Sequence, residues 1–307
     1  MFRYLLLRVG ASVPVLLGVS LVVFLMVKLV PGDPVDVMFY GQAQPNEEVK
    51  ANMRHALGLD RPLPEQYGLF IWNAVHGDLG RSYRSKRQVT EEINLRIGNT
   101  LVLTLASLAV SVAVGTVAGI VAAVRRGSWF DGVSMVLSIG ALAVPSFWLG
   151  LMLILFFALR LGWFPTGGVG DLRHLVLPAV TLGALNAAII ARLMRASMLE
   201  ALGEPYVVTA RAKGLSQPAV VQHALRNALI PSVTVIGLQI GGLLSGAFVV
   251  ENVFAYPGLG QLTVTAINNR DLPLVQGAIL VSAVSYVLAN LSVDVVYGAI
   301  DPRIRHA

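Results

Sequence analysis

Side chains suited to acid–base, nucleophilic or metal chemistry are sparse in this chain and form no known catalytic pattern. The five histidines, at positions 55, 76, 174, 223 and 306, are scattered. No His-Glu-x-x-His, Gly-x-Ser-x-Gly or Gly-x-x-x-x-Gly-Lys-Ser/Thr sequence occurs. The absence of cysteine excludes disulfides, thiolate ligands and a cysteine nucleophile. The sequence therefore predicts a non-catalytic chain without a cofactor or metal site of its own.

The elements that carry these residues are predicted to be membrane helices. Only Lys28 and Asp294, of the 40 Lys, Arg, Asp and Glu residues, lie within six strongly apolar stretches. A run of about 20 apolar residues matches the roughly 30 Å hydrocarbon core of a bilayer. We expect an all-α, multi-pass protein of the cytoplasmic (inner) membrane, with six transmembrane helices at 9–30, 100–124, 133–159, 175–191, 230–250 and 274–299.

The distribution of basic residues predicts the orientation of these helices. With the N-terminus in the cytoplasm, eleven Lys and Arg residues lie inside, whereas the short outside loops 160–174 and 251–273 carry three. The positive-inside rule therefore places both termini in the cytoplasm. It also accounts for the net charge of +6 without nucleic-acid binding, for which no basic stripe interleaved with aromatic residues is present.

The outside segment 31–99 is long enough to have a structure of its own. Helix signals follow Asn46, Pro64 and Thr90, with a turn-rich stretch at 77–83. We divide the chain at this point into residues 1–99, the first helix with the long segment, and 100–307, a core of five helices. The segment could be a cap over the helices or a docking platform for an external protein, with Asp78 and Arg81 as candidate contacts.

Small and polar residues are the informative ones inside the spans. The pairs Gly237-xxx-Gly241 and Gly242-xxx-Gly246 predict close helix packing, either within one bundle or at a subunit interface or pore. Pro145 and Pro178 predict kinks. Asp294, the acid that we place inside a span, is either a structural carboxylate near the interface or a residue involved in coupling.

The strongest local signal lies in the inside loop at about 192–229. Pro205 suits the first turn of a helix, and Arg211 and Lys213 suit its negative end. Gly214 suits the left-handed position that ends a helix, and Ser216 suits the start of the next one. This pattern predicts a short helix, a glycine turn and a second helix, which together offer a soluble partner a compact surface.

Several motifs, in order along the chain, resemble the permeases of ABC importers for dipeptides, oligopeptides and nickel, in particular the first of their two permease subunits. In the loop, Ala210 and Gly214 are followed by His223-Ala-Leu-Arg-Asn227, but Val208 and Arg226 depart from the family's Glu and Pro. The other matching motifs are Pro31-Gly-Asp-Pro34, Gly77-Asp-Leu-Gly-Arg-Ser82, Asn99-Thr-Leu101, Glu251-Asn-Val-Phe254, Pro257-Gly-Leu-Gly260 and Asp301-Pro-Arg-Ile-Arg305.

The resemblance implies a type I ABC-importer permease fold and an assembly of several proteins. A second permease subunit would complete the pathway, an extracytoplasmic binding protein would deliver the cargo, and two ATPase subunits would bind ATP and Mg²⁺. The helix that contacts the ATPase would then comprise Glu204, Tyr206, Thr209, Ala210, Arg211, Lys213 and Gly214. Cargo is expected to be di- or oligopeptides, with nickel or haem as alternatives.

Two other classes of function are weaker on this sequence. An ion-coupled secondary transporter predicts buried acids or broken helices near the middle of the membrane in both halves of the chain, and Asp294 fits that pattern poorly. An intramembrane enzyme lacks a supporting constellation of residues.

Overall fold

The computed structural model describes residues 2–29, 32–39 and 46–300, with side chains from residue 7 to 295 except at 234. Pro31 and the motif 301–305 lie outside the described residues. Helices make up this part of the chain, and its only β-type pairing is one isolated bridge between Arg81 and Gln88. The helices are α1 Phe2–Leu29, α2 Pro34–Met38, α3 Glu47–Ala56, α4 Leu63–Val75, α5 Val89–Val124, α6 Trp129–Ala143, α7 Ser146–Leu153 followed by the π-helical segment Ile154–Arg160, α8 Leu172–Gly203, α9 Pro205–Ala212, α10 Gln217–Val253, α11 Leu259–Asn268 and α12 Leu272–Ile300.

Five of these helices are long and apolar enough to cross a membrane. They contain the segments Leu7–Leu29, Val89–Val124, Leu172–Gly203, Val235–Val253 and Leu272–Val295. The remaining predicted span is divided into Trp129–Ala143 and Ser146–Arg160, which meet at an angle of 111°. Counting that pair as one span gives the six predicted helices.

The break in the third span has a local cause. Proline lacks a backbone N–H, and its ring drives the preceding residue out of the helical conformation. Val144 accordingly has an extended backbone with ψ of 121°, and Pro145 occupies the N-cap position of α7. Pro178, by contrast, lies within α8 without ending it. The kink predicted at Pro145 is therefore confirmed, and the kink at Pro178 stays a prediction.

The chain forms two compact units. The first comprises the described residues up to Gly98 together with Gly258–Leu291. Its core lies where the start of α5 packs on α11 and α12, and a side chain at Gly277 would collide with Val89. The buried residues of this core are Val89, Ile93, Leu259, Leu262, Ala266 and Leu274.

The second unit contains residues Asn99–Pro257 and the described part of α12 from Ser292 onwards. Within it α8 packs against α5, α6, α7, α9 and α10. Glycines on α5 permit the closest of these contacts: a Cβ at Gly115 would lie 2.7 Å from the Ala187 carbonyl oxygen, and one at Gly119 would lie 2.5 Å from that of Ala191. Small residues spaced in this way let membrane helices approach each other closely.

The α5–α8 contact predicts which glycine can accept a side chain. We expect Gly119→Ala to lower the midpoint of thermal unfolding in detergent, because overpacking costs about 1–3 kcal/mol. That cost exceeds the gain of up to about 1 kcal/mol from replacing Gly by Ala within a helix. Gly140→Ala in α6 is the matched control, since nothing lies within 4 Å of a Cβ there. Equal midpoints for the two variants would contradict this packing.

Candidate functional site

The loop that the sequence singled out has the predicted helix–turn–helix geometry. Glu204 occupies the N-cap position of α9, and Pro205 begins the helix. Gly214 has a φ of +77°, a left-handed conformation that glycine adopts without steric cost. The Leu215 N–H donates to the Ala210 carbonyl at 3.3 Å, which closes the turn. Ser216 occupies the N-cap position of α10, although its side chain makes no capping hydrogen bond.

The two faces of α9 differ in what they contact. Val207 is fully buried, whereas its neighbours Tyr206 and Val208 are 37% and 61% exposed. Ala210 is half-buried, and the predicted contact residues Glu204, Thr209, Arg211, Lys213 and Gly214 are exposed. The Thr209 hydroxyl donates to the Pro205 carbonyl at 3.1 Å, so it is bound within the helix. The outward face of α9 is therefore both apolar and basic.

The inward face of α9 belongs to a hydrophobic cluster, which we call the α9 cluster. Val207 packs there with the C-terminal part of α8, the N-terminal part of α10 and the end of α5. Complete burial of a valine side chain contributes about 1.5–3 kcal/mol. The short helix is therefore fixed to three long helices rather than suspended from a loop. The buried residues of the cluster are Ala123, Met194, Met198, Ala201, Val207, Val220, Ala224 and Ala228.

An ion pair near this cluster was not identified from the sequence. Asp131, at the start of α6, accepts hydrogen bonds from Arg195 Nε at 2.5 Å and Nη2 at 2.8 Å. The Gly127 N–H donates to the same carboxylate at 3.0 Å. A bidentate arginine–carboxylate contact fixes the mutual orientation of two elements, here α6 and α8. The residues are 64 positions apart, so no local spacing indicated the pair.

Glu251 is a buried acid beside the fifth predicted span, whereas Asp294 is the acid that the sequence places inside a span. The apolar segment of α10 runs from Val235 to Val253 and extends past Glu251, which directly follows the predicted end of the fifth span at residue 250. This side chain is fully buried, and the Thr100 hydroxyl donates to its Oε1 at 2.6 Å. Nearby, the Asn99 side-chain amide donates to the Pro257 carbonyl at 2.8 Å, so α5 is joined at two points to the end of α10. Asp294 is half-buried on α12.

The predicted glycine pairs of α10 face in different directions. Gly241 is buried and Gly237 is half-buried. A Cβ at Gly246 would lie 2.9 Å from Leu182 of α8, whereas nothing lies within 4 Å of a Cβ at Gly242. Gly242 is exposed on the same helix face as Leu238, Ser245 and Val249. Within this unit, therefore, Gly246 packs against α8 and Gly242 remains accessible.

In the first unit, residues Gly80–Val89 form a hairpin, which we call the basic hairpin. Its turn is fixed by the buried Asp271, which accepts a hydrogen bond from the Ser82 hydroxyl at 2.5 Å and from the Tyr83 N–H at 3.0 Å. Burial and the nearby Asp271 charge raise the pKa of Tyr83 to about 12. The side chains exposed on the hairpin include Arg81, Arg84, Lys86 and Arg87.

The two predicted docking residues lie at the base of this hairpin. Asp78 is exposed and accepts a hydrogen bond from the Gly80 N–H at 2.9 Å, which shapes the turn before the hairpin. Arg81 is exposed and pairs through its backbone with Gln88. Of the exposed cations on the hairpin, only Arg81 was predicted as a docking residue. The concentration of Arg and Lys at 81–87 could have indicated a larger charged surface.

Two cavities lie at opposite ends of α8. One, of about 480 Å³, is lined by Asn99, Asp171, His174 and Tyr256 among others. A hydrogen bond with His174 lowers the pKa of Asp171. The other, of about 360 Å³, is lined by residues of α8, α9 and α10. Its lining residues are Ser197, Glu200, Ala201, Glu204, Tyr206, Asn227, Ala228 and Pro231.

The fold is similar to that of a solved membrane transporter. The structure described as inward facing conformations of the MetNI methionine ABC transporter aligns with a TM-score of 0.54 over 68% of this chain and 96% of that chain. The sequence identity is 19%, so the likeness concerns the fold alone.

Relatives of known name align along the whole sequence. The glutathione transport system permease protein GsiC of Escherichia coli strain K12 is 46% identical over 307 residues, with 100% of both chains covered. The di/tripeptide transport system permease protein DppB of Pseudomonas aeruginosa strain UCBPP-PA14 is 42% identical over 335 residues, with 100% of this chain and 99% of DppB covered.

Two family descriptions match adjoining parts of the chain. Residues 1–104 match the N-terminal part of binding-protein-dependent transport system membrane components. Residues 115–306 match the inner membrane component of binding-protein-dependent transport systems. These matches favour a permease over the ion-coupled alternative. The chain thus belongs to the family of binding-protein-dependent transport system inner membrane components.

Proposed function

We propose that this chain is one of two permease subunits of an ATP-driven importer and forms half of its pathway for short peptides. The observation that carries the proposal is the division of α9 between a buried face and an exposed one. Val207 is fully buried in the α9 cluster, while the adjacent Val208 is 61% exposed. An exposed valine beside Tyr206, Arg211 and Lys213 suits a protein partner, because apolar contacts supply affinity and charges set the orientation.

The partner that this face would bind is an ATPase subunit. This chain has no phosphate-binding loop, so ATP and Mg²⁺ would be held by two partner ATPases on the cytoplasmic side. In this topology both termini and α9 face the cytoplasm, in keeping with the distribution of basic residues. Closure of the ATPases would push α9, and the α9 cluster would transmit the movement to α5, α8 and α10. The ATP-bound partner must then favour one permease conformation over the other.

A matched pair of glycine substitutions tests this coupling. We expect Gly214→Val to reduce uptake at least about tenfold and to release ATP hydrolysis from cargo control, because a β-branched residue is strained at a φ of +77°. Gly203→Val, in the same loop, should leave both activities near normal, since a Cβ at Gly203 has nothing within 4 Å.

The measurement is uptake and ATP hydrolysis in proteoliposomes, with the amount of each variant in the membrane determined in parallel. Normal, cargo-dependent uptake by Gly214→Val would contradict the assignment of α9 as the coupling helix. Uptake that persists without the ATPase subunits would contradict the ATP-driven mechanism itself.

The second permease subunit would cover the accessible face of α10. Leu238 and Val249 on this face are 63% and 43% exposed, and Gly242 and Ser245 lie between them. Small residues allow a helix of the other subunit to approach closely, or they leave room for the cargo pathway. Either role would place this face of α10 at the boundary of the two subunits. Asp294 is not required in this mechanism, because ATP supplies the energy.

Short peptides are the cargo that the relatives favour. The relatives described above are named for the transport of glutathione and of di- and tripeptides. Nickel and haem remain the alternatives raised by the wider group of permeases. We expect the cognate binding protein, purified from cells without denaturation, to carry a short peptide that mass spectrometry of the released ligand identifies. Recovery of a nickel complex or haem would instead assign this chain to one of those alternatives.

The basic hairpin would receive the extracytoplasmic binding protein. Its exposed cations include Lys86 and Arg87, and the buried Asp271 anchors the turn that carries them, so the charges are presented on a fixed support. Such a surface fits an acidic face of a binding protein, and attraction between opposite charges increases the rate of association. Asp78 and Arg81, at the base of the hairpin, would lie at the edge of this contact.

Charge reversal at the hairpin tests the docking surface. We expect Lys86→Glu to slow association of the binding protein about three- to tenfold at low salt and to weaken the dependence of that rate on salt. Arg61→Glu, an equal change at an exposed site between α3 and α4, is the control and should have a smaller effect. Association rates with the importer in nanodiscs at several salt concentrations provide the measurement. Equal effects of the two substitutions would exclude the hairpin as the docking surface.

A further inference from the structure

Helix α4 makes direct contact with the membrane-crossing part of α1. The Tyr67 hydroxyl is hydrogen-bonded to Ser20 Oγ at 2.9 Å and donates to the Leu17 carbonyl at 3.2 Å. The centre of the Phe24 ring lies 5.5 Å from the centre of the Tyr67 ring and 6.0 Å from the centre of the Phe70 ring. These contacts belong to one unit and fix the position of α4 along α1.

The position of these contacts gives the depth of α4 in the bilayer. The apolar segment of α1 runs from Leu7 to Leu29. At 1.5 Å per residue, Leu17 lies about 18 Å from the Leu29 end, near the middle of a hydrocarbon core of about 30 Å. A tyrosine side chain is little longer than one helical turn of about 5.4 Å. The backbone of α4 at Tyr67 must therefore lie below the membrane surface.

The composition of α4 agrees with this depth. Among its 13 residues only Glu65 is a charged residue. Tyr67 and Phe70 face α1, yet Leu69, Trp72 and Val75, which lie on another face, are 40%, 65% and 78% exposed. Glu65 lies in the first turn, on the same face as Leu69 and Trp72, and the rest of the helix carries no charged residue. A helix with so little charge suits burial or a membrane rather than water. Trp72 suits the boundary between headgroups and acyl chains, where tryptophan is enriched.

The neighbouring helix α3 provides a contrast within the same segment. It carries Glu47, Glu48, Lys50 and Arg54 within ten residues. Lys50 forms an ion pair with Asp36 at 2.7 Å. This pattern is typical of a helix in water. The segment 31–99 therefore contains two helices that suit different solvents.

We propose that α4 is an interfacial membrane helix, embedded in the leaflet at the Leu29 end of α1 with its Leu69–Trp72–Val75 face against lipid. Lys28 then need not extend alone to the headgroups, because its ammonium group is hydrogen-bonded to the Gln66 side chain and lies 5.6 Å from the centre of the Phe24 ring. Embedded in this way, α4 holds the start of the basic hairpin, a few residues further along the chain, close to the membrane surface.

Cysteine accessibility tests whether the exposed face is in water. The chain contains no cysteine, so each variant carries a single thiol. Leu69→Cys and Trp72→Cys should react with a charged maleimide at least about tenfold more slowly than Glu48→Cys on α3, because the reactive thiolate forms poorly in hydrocarbon. They should match Val22→Cys, an exposed position in the span of α1. The measurement uses freeze–thawed membranes, which open both faces to the reagent. Reaction as fast as at Glu48→Cys would overturn the proposal.

Tryptophan quenching distinguishes lipid from a protein that covers the same face. With Trp129, Trp148 and Trp163 replaced by Phe, Trp72 is the sole tryptophan. Reconstitution with lipids brominated on their acyl chains should strongly quench its fluorescence. In the same background, Trp72→Phe combined with Glu48→Trp should give little quenching. Protected cysteines together with an unquenched Trp72 would mean that a protein covers α4, and would equally overturn the proposal.

Discussion

Close contact between α5 and α8 is the constraint on which the second unit depends. Association of helices in a bilayer gains little from the hydrophobic effect, because lipid chains are as apolar as leucine. Packing between helices must therefore supply the stability. Helix α5 approaches α8 very closely at Gly115 and Gly119, which lie against the α8 backbone. The same approach brings the ends of α5 and α8 together beneath α9. A push on α9 would not move α5 and α8 together if these two helices could slide independently of each other.

Buried carboxylates fix the ends of elements within each of the two units. Asp131 binds Arg195 at the start of α6, Glu251 accepts from Thr100 near the end of α10, and Asp271 accepts from Ser82 just before α12. Burial of a charge is costly unless hydrogen bonds compensate for it. Each of these acids has such partners within its own unit. Their geometry is that of structural anchors, and the proposed use of ATP leaves no need for a chain of proton carriers.

Local signals allowed several elements to be predicted residue by residue. Asn46 caps α3 through a hydrogen bond to the Val49 N–H, and Gly214 adopts the left-handed conformation expected after α9. Both features depend on neighbours within a few positions, so the sequence contains all the necessary information. Predictions that depend on distant partners were less successful. The α5 glycines were overlooked in favour of those on α10, and the pairing of Asp131 with Arg195 was not predicted.

The sequence by itself determined the membrane class, the number of apolar segments and the helix–glycine–helix form of the loop, because composition and capping act over short distances. Only the tertiary structure decided which glycines face a neighbouring helix, which acids are buried and where α4 lies. Helical periodicity defines the faces of a helix, but the rotation of each face towards its neighbours depends on packing between residues far apart in sequence. For α4, a single tyrosine bonded to α1 distinguishes a membrane helix from a helix in water.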